Sequence, residues 1–357
     1  FLSCNRNKES VSADLKSDEG RVLLTRLIRH SDVLVENFRP GVLDRLGFGV
    51  ARLREINPRL VVLSITGFGH DGPDGGRAGY DLIAQGESGL MSLTGPSPDQ
   101  PTRVGLPVGD VLAGVYGAYG VVAALHRRAR TGHGEVVRTS LLAALVGVHA
   151  FEGTRYTVAG QVPRAQGNHH PSIAPYGAFR CADGIVQIAV GSEALWRRFA
   201  PLSGLDPDDP RFATNGERVR HRQELIAVIE AVFGTEPVSH WLDRLAGVGV
   251  PSGRVRSLDQ VYEWDQVRSQ GLLVDVDHDT LGPLRLPGPP LRFDTGGRSE
   301  HQAPPRLGQH DAPVRAWLDE VEALDRSEDR TNRSNRTDWT DGTGFPDRTE
   351  EPGAARP

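Results

Sequence analysis

The chain has little cysteine: Cys4 and Cys181 are too few to form a disulfide framework among 357 residues. This composition is typical of reducing compartments, so we expect a cytoplasmic protein. An excess of basic residues is also lacking, because 41 Lys and Arg stand against 46 Asp and Glu and give a net charge of -5. A nucleic-acid partner, which requires a basic surface, is therefore not expected.

Long hydrophobic runs are missing as well. The longest uncharged, mostly apolar stretch has fifteen residues, Val111 to Leu125, whereas a bilayer span requires roughly 20. We therefore expect no membrane association. A metal site is not predicted either, because the adjacent His169 and His170 would point to opposite faces of an extended segment.

The first half of the chain alternates helical and strand-like patterns. Helical spacing marks Arg21–Arg29, and continuous apolar runs at Asp32–Glu36 and Leu60–Thr66 are typical of buried strands. Helices that alternate with apolar strands favour a parallel α/β sheet. With 38 % hydrophobic and 24 % charged residues, the chain is long enough for two domains with cores of their own.

The pattern changes in the second half. A strand pair is predicted across Ala178–Val190, with its turn at Asp183-Gly184. Amphipathic helices are predicted at 195–202, 220–233 and 238–245. The residues expected in the core rather than at a ligand are Trp196, Phe233 and Trp241. These elements indicate a smaller α+β domain.

A single carboxylate stands at the start of the long apolar run. Asp110 precedes the fifteen residues that carry Gly114, Gly117 and Gly120 at a spacing of three, without proline. This pattern predicts a helix that packs closely along its glycine face and ends at the basic run 126–130. At the N-terminus of this helix, Asp110 either serves as the N-cap or acts as a nucleophile that the helix dipole keeps ionised.

Further motifs accompany Asp110 in a fixed order. They are Cys4-Asn-Arg-Asn-Lys8 with Ala13-Asp-Leu-Lys16, Val35-Glu-Asn-Phe-Arg-Pro-Gly-Val-Leu-Asp-Arg-Leu-Gly47, Gly75–Gly95, Pro101–Asp110, Arg130–Glu135, Gly167–Tyr176 and Pro305–His310. Together they resemble the class III CoA-transferases, the family of formyl-CoA, carnitine and succinyl-CoA:glutarate transferases, from about residue 4 to about residue 318. Any one motif alone is weak, whereas several in this order are specific.

The resemblance implies an α/β fold with two domains: a Rossmann-like, parallel-sheet large domain and a smaller α+β domain, assembled in the family as an interlocked homodimer. We expect the large, CoA-binding domain at 1–155, the smaller domain with linkers at 156–290, a return segment that packs on the large domain at 291–324, and a tail at 325–357. The tail lacks apolar periodicity, which predicts disorder. Family members carry several dozen residues before the first motif, so the large domain is expected to be truncated at its N-terminus.

The family's CoA-binding positions fall on residues whose chemistry suits that ligand. Cations would hold the phosphates, an aromatic ring the adenine, and amide groups the rest of the molecule. These positions are Ala13, Asp14, Leu15, Lys16, Asn37, Phe38, Arg39, Arg45, Arg77, Ala78, Gly79 and Tyr80. The resemblance implies no metal and no permanently bound cofactor, and coenzyme A or acyl-CoA enters as a substrate.

The family contains both CoA-transferases and 2-methylacyl-CoA racemases, and one position separates them. Racemases carry a His where this chain has Tyr80, and that His works with the later Asp to move the α-proton. Phenols titrate well above neutral pH, so a tyrosine is poorly matched to this proton transfer. The residue favours CoA transfer, and a racemase-like isomerase remains the alternative.

The mechanism that the resemblance implies runs through Asp110, which would attack the donor thioester and become an aspartyl-CoA thioester. A carboxylic acid acceptor would then take the CoA. The Gly109–Asp110 turn and the Gly167-Asn168 loop are expected to supply N–H donors to oxyanions. Gly167, Asn168 and His169 form the expected substrate loop, in a segment that most resembles the dicarboxylate-using branch. A non-catalytic acyl-CoA-binding fragment is a second alternative, because the expected truncation leaves independent folding open.

Overall fold

The structure is a computed structural model that describes residues 1–295 and 300–337, with side chains as far as 327. Two compact units are present. One comprises residues 28–272, and the other combines residues 1–27 with the stretch from 273 onward. The expected domain boundary at 155/156 divides the chain differently and stays a prediction.

A parallel sheet with helices forms the first half of the 28–272 unit. Its strands, in the order β1-β2-β3, are β1 (Val33–Glu36), β2 (Val61–Thr66) and β3 (Val136–Ser140). Helix α1 (Asp18–Arg29) belongs mostly to the other unit, and the helices that follow it up to residue 159 are α2 (Val42–Arg45), α3 (Val50–Ile56), α4 (Asp81–Glu87), α5 (Leu90–Leu93), α6 (Val108–Thr131), α7 (Leu141–Gly147) and α8 (Ala150–Ala159). Ser140 ends β3 and caps α7, because its Oγ accepts the Ala143 N–H at 3.0 Å. The predicted parallel α/β sheet is confirmed.

Helix α6 approaches this sheet through small residues. A Cβ atom on Gly117 would lie 2.8 Å from Leu63 Cδ2, and one on Gly120 would lie 2.6 Å from Val137 Cγ1. Both distances are shorter than real Cβ contacts, so only glycine allows the helix this close. Gly114 meets nothing within 4 Å and is not part of the contact. The predicted glycine face therefore consists of two of the three residues.

Another face of α6 is apolar and exposed. Val115, Tyr119 and Val122 are 60, 75 and 66 % exposed. By length and composition alone α6 could cross a membrane, so the expectation that no segment is long enough was wrong: the helix includes flanking residues beyond the apolar run. This indication is weak, because core helices of soluble proteins meet the same criterion. Here only 22 % of the most apolar window is buried, so α6 offers an apolar surface that no described residue covers.

The second half of this unit is built around an antiparallel sheet. Its strands, in the order β4-β5-β6, are β4 (Tyr176–Arg180), β5 (Ile185–Ala189) and β6 (Ser252–Arg254). Its helices are α9 (Glu193–Phe199), α10 (Asn215–Arg220), α11 (Arg222–Phe233), α12 (Val238–Gly247), α13 (Leu258–Tyr262) and α14 (Asp265–Ser269). Trp196, Phe233 and Trp241 are 1, 0 and 3 % exposed, which confirms their predicted place in the core. The rings of Phe233 and Trp241 stack with centroids 4.4 Å apart.

The other unit contains a hairpin and two helices. The hairpin pairs β7 (Leu273–His278) with β8 (Gly282–Pro287), and α15 spans Asp311–Thr337. Leu23 of α1 packs with Val314 and Leu318 of α15. Residues 325–337 of the predicted disordered tail are therefore helical, and 338–357 lie outside the described residues. The packing predicted for the return segment 291–324 stays a prediction.

Candidate active site

Asp110 lies in the first turn of α6. The helix begins at Val108 with Pro107 at the N-cap position, so the N-cap role considered for Asp110 was wrong. Proline suits a helix start, because the N–H it lacks would have no partner within the helix there. No hydrogen bond to another described residue occupies the Asp110 carboxylate, which leaves it available for chemistry.

A buried polar network holds the turn that leads into Asp110. Asp81 Oδ1 accepts the Gly109 N–H at 2.7 Å, and Asp81 Oδ2 accepts Gln85 Nε2 at 2.7 Å. The Gln85 side chain, which is 0 % exposed, also accepts the Val104 N–H at 2.8 Å. Two side chains one turn apart on α4 thus fix both ends of the 104–109 segment. Sequence reasoning missed this network, although the four-residue spacing of an acid and an amide was a usable signal.

The surroundings of Asp110 change its acidity. Partial burial raises the pKa of Asp110, and the negative charge of Asp81 raises it further. The expectation that the helix N-terminus holds Asp110 ionised stays a prediction, and burial and Asp81 act against it. A carboxyl group with a raised pKa gives a more basic carboxylate when it ionises. A more basic oxygen is a better nucleophile.

A cavity of about 660 Å³ opens beside Asp110, at the carboxyl ends of β1 and β2. Ligand sites of parallel α/β sheets lie at this edge. Besides Asp110, the predicted CoA-binding residues that line it are Asn37, Phe38, Arg39, Arg77, Ala78, Gly79 and Tyr80. Residues 37–39 follow β1, and 77–80 precede α4. Three separate segments of the sequence therefore meet around one space.

The wall that carries Arg77 and Tyr80 is held by backbone and ring contacts. A Cβ on Gly67 would lie 2.7 Å from Gly79 Cα, so both positions require glycine for the two loop ends to touch. The Arg77 guanidinium lies 4.4 Å from the centre of the Phe68 ring and 2.6 Å from Glu87 Oε1, and this hydrogen bond raises its pKa. Tyr80 itself is 77 % exposed.

Five predicted CoA-binding residues do not line this cavity. Arg45 belongs to α2 and forms no ion pair within the described part of the chain. The other four lie in the unit that contains residues 1–27: Ala13, Asp14, Leu15 and Lys16. There the Asp14 carboxylate accepts the Lys16 N–H at 3.0 Å and shapes the turn before α1. Their role in CoA binding stays a prediction.

The predicted substrate loop lies at a different cavity, of about 500 Å³, which Asn168 and His169 line. Burial lowers the pKa of His169, and the positive charge of Arg222 lowers it further. His169 packs edge-on against Phe179 at 5.3 Å between ring centroids, whereas His170 packs against Tyr176 at 5.1 Å. Within residues 1–295 and 300–337, no group of three or more potential ligand side chains could hold a metal ion.

Two of the N–H groups expected to bind oxyanions are already engaged. The Gly109 N–H donates to Asp81, and the Gly167 N–H donates to Gly95 O at 2.9 Å. Gly167 adopts a φ of 62°, which favours glycine at this bend. These two N–H groups could bind an anion only after breaking these bonds, so the oxyanion role expected for the turn and the loop stays a prediction.

Comparisons with known proteins agree with this geometry. Residues 1–311 match the model of CoA-transferase family III. A Mus musculus protein named succinyl-CoA:glutarate CoA-transferase is 36 % identical over 312 residues, covering 87 % of this chain and 72 % of that protein. A succinate–glutarate CoA-transferase of Agrobacterium fabrum is 36 % identical over 331 residues, covering 90 % and 81 %. The crystal structure of a CAIB/BAIF family protein from Brucella suis matches with a TM-score of 0.81 at 36 % identity, covering 89 % of this chain and 83 % of that one.

The motifs, the parallel sheet and the cavity beside Asp110 are all consistent with the same family. The resemblance found in the sequence and the fold class it implied are confirmed by the family match and the structural neighbour. The named relatives are CoA-transferases, which supports a transferase. The chain belongs to CoA-transferase family III.

Proposed function

We propose that this protein moves CoA from an acyl-CoA donor to a dicarboxylic acid acceptor, with Asp110 as the nucleophile. The observation that carries the proposal is the meeting of Asp110 with two predicted CoA-binding segments, 37–39 and 77–80, around one cavity of about 660 Å³. Relatives named succinyl-CoA:glutarate and succinate–glutarate CoA-transferases support a dicarboxylate as acceptor. No permanently bound cofactor takes part in this reaction.

The proposed reaction exchanges carboxylates on one CoA thiol. The Asp110 carboxylate attacks the donor thioester carbon and expels CoA thiolate, which gives a mixed anhydride. The thiolate then attacks the Asp110 carbonyl, releasing the donor acid and leaving an aspartyl-CoA thioester. The acceptor carboxylate attacks this thioester in turn, and the thiolate returns to the acceptor carbonyl, so that Asp110 is regenerated. The steps alternate: each attack by a carboxylate replaces an acyl–sulfur bond with an acyl–oxygen bond, and each attack by the thiolate replaces an acyl–oxygen bond with an acyl–sulfur bond.

Residues around the cavity fit the parts of CoA. Arg39 forms no ion pair within the described part of the chain and lines the cavity, so its charge is available to a phosphate. Phe38, 44 % exposed, offers a ring face for adenine. Arg77 is already neutralised by Glu87, so we assign it a weaker share of phosphate binding.

The expected substrate loop lies away from Asp110. Asn168 and His169 line the 500 Å³ cavity rather than the one that contains Asp110. The loop would therefore reach a reacting carbonyl either after a rearrangement or across the interface of a dimer. Burial and the charge of Arg222 lower the pKa of His169, which favours the neutral imidazole, and a neutral imidazole can still donate one N–H hydrogen bond to an acceptor carboxylate.

A homodimer is the assembly we propose. The exposed apolar face of α6, with Val115, Tyr119 and Val122, is the kind of surface that a second copy covers. This also accounts for a helix that is long and apolar without requiring a membrane. A cytoplasmic location completes the proposal, supported by the free cysteines Cys4 and Cys181.

Trapping of the intermediate tests the proposal directly. Incubation with succinyl-CoA followed by hydroxylamine should convert Asp110 to a hydroxamate, which peptide mass spectrometry locates. A protein that binds CoA but forms no hydroxamate would be the non-catalytic alternative. A panel of carboxylic acids should then show dicarboxylates as the preferred acceptors.

The racemase alternative requires a second acid/base group, and Tyr80 stands at that position. Incubation of a 2-methylacyl-CoA in deuterated water should give no exchange at the α-carbon above background. Rapid exchange would favour the isomerase over the transferase.

A further inference from the structure

A chain of polar side chains connects the loop after β2 with the loop after β1. In the parallel sheet, Glu36 of β1 is the register partner of Ser64 of β2. The Ser64 Oγ is hydrogen-bonded to Glu36 Oε1 and lies 2.8 Å from the Nε2 of His70, which belongs to the loop after β2. The other carboxylate oxygen, Glu36 Oε2, accepts the Phe38 N–H at 2.9 Å.

The hydrogens available on each side chain determine which group donates in each of these hydrogen bonds. An ionised carboxylate only accepts, so the single hydroxyl hydrogen of Ser64 points to Glu36. The lone pair of Ser64 must then face a donor, which requires a hydrogen on His70 Nε2. Ser64 is only 9 % exposed, so water is a poor substitute for either partner. The hydrogen bonds therefore run in fixed directions: His70 donates to Ser64, Ser64 donates to Glu36, and Phe38 donates to Glu36.

One end of this chain of side chains lines the Asp110 cavity, and the other end lies in the loop between Gly67 and Gly79, both of which line the cavity. Phe38 lies between Asn37 and Arg39, which line it. His70 lies in the loop that begins at Gly67, where the backbone touches Gly79 at the opposite end of the loop. Ser64 and His70 do not line the cavity themselves. Ser64 and His70 can therefore affect a ligand there only through residues that do line it, and Glu36 is one of these.

Packing alone does not hold Phe38. A second cavity, of about 220 Å³, borders Phe38, Glu36, Ser64 and His70, so empty space adjoins the loop. Phe38 is also 44 % exposed. The backbone of 37–39 makes two described hydrogen bonds: the Arg39 carbonyl accepts the Val42 N–H at 3.1 Å in the following turn, and the Phe38 N–H bond to Glu36 ties the segment to the end of β1.

We infer that Glu36, Ser64 and His70 are positioning residues that hold the 37–39 segment in its CoA-binding conformation. The inference rests on the proposed function, because it takes the ligand of the cavity to be CoA. A segment that is held in place before binding loses less conformational entropy when the ligand arrives. The three residues thus set the affinity for CoA and leave the rate of the chemical steps on Asp110 nearly unchanged.

Ser64→Ala removes the centre of the chain without altering the cavity lining. The expected result is a Kd for CoA, measured by titration calorimetry, that rises about tenfold, with a parallel rise in KM for the acyl-CoA donor and a kcat within about twofold of the parent. Glu36→Gln is nearly isosteric but supplies only one acceptor oxygen where the site requires two, so it should act in the same direction. Ser203→Ala is the matched control, because Ser203 is 0 % exposed and donates one hydrogen bond, to Ala200 O, in the antiparallel half of the unit.

Distinct results would overturn the inference. An unchanged Kd for CoA in a folded Ser64→Ala protein would do so, and so would a fall in kcat with Kd preserved. Should Ser64→Ala fail to fold, His70→Leu on the loop carries the same test, with a smaller rise in Kd expected. A parent protein that binds no CoA would refute the proposed function, which is distinguishable from a parent that binds CoA as well as its Ser64 and His70 variants do.

Discussion

The two halves of the 28–272 unit treat apolar surface in opposite ways. In the antiparallel half, Phe233 and Trp241 are buried and stack on each other. In the parallel half, the long helix α6 leaves Val115 and Tyr119 exposed at 60 and 75 %. A core of the first kind stabilises the chain that contains it, whereas an exposed apolar face stabilises only what binds to it. Both halves have a buried core, including Val61 and Leu145 in the parallel half, but only the parallel half adds a long exposed apolar helix face for contact.

The two halves also differ in what their buried polar side chains bind. In the antiparallel half, Arg218 pairs with Glu193 at 2.8 Å and lies 4.6 Å from the Trp196 ring, so it braces its own core, and the pairing lowers the pKa of Glu193. In the parallel half, Gln85 and Ser64 connect to loops that border the Asp110 cavity. Substitutions in each half test whether this difference holds.

The largest effect is expected at the nucleophile. Asp110→Asn keeps the shape of the side chain but removes its nucleophilic carboxylate, so kcat/KM for CoA transfer should fall at least ~1000-fold. The Kd for CoA should change little, since other residues bind it. Steady-state assays and calorimetry measure the two quantities, with exposed Asp99→Asn as the control. Near-normal turnover of Asp110→Asn would refute its assignment.

The next effect concerns stability in the antiparallel half. Phe233→Ala should lower the free energy of unfolding by about 4 kcal/mol, because it leaves a cavity in a closed aromatic core. Phe38→Ala, the matched change in the parallel half, should lower it by less than about 0.5 kcal/mol, because Phe38 is exposed. Denaturant titrations followed by circular dichroism give both values. Equal losses would show that the two halves do not differ as described.

A smaller effect is expected on association. Tyr119→Lys places a charge on the apolar face of α6, so the dissociation constant of the proposed homodimer should rise about 100-fold. Analytical ultracentrifugation measures this dissociation constant. Val22→Lys, at an exposed position of helix α1, is the control. A parent protein that floats with lipid vesicles, and loses this property in Tyr119→Lys, would instead show that α6 contacts a membrane.

The smallest effect is a shift along the pH axis. Because burial and the charge of Asp81 raise the pKa of Asp110, the ionised nucleophile forms at a higher pH than for an ordinary aspartate. Asp81→Asn removes the charge but not the burial, so the pKa should fall part of the way and the acid limb of kcat/KM should move to lower pH. Asp99→Asn should leave that limb in place. An unchanged or raised limb in Asp81→Asn would contradict the assigned cause.

Local patterns predicted the elements well and the contacts between them poorly. The strands at 33–36 and 61–66, the helix after Asp110 and the core position of Trp241 all followed from short-range periodicity. The pairing of Asp81 with Gly109 joins residues 28 positions apart. No periodicity in either segment indicates it, because the partner is chosen by how the helices pack. The same holds for Ser64 and His70, which are unremarkable in the sequence.

The family follows from motifs in a fixed order and the alternation of helices and strands from local periodicity, so both could be read without a fold, and the family resemblance then made Asp110 the candidate nucleophile. The fold was needed to place Pro107 rather than Asp110 at the N-cap of α6, to show that Asp81 raises the pKa of Asp110, and to place His169 at another cavity. Acidity, hydrogen-bond partners and cavity walls depend on distances through space, and folding sets those distances between segments far apart in the chain.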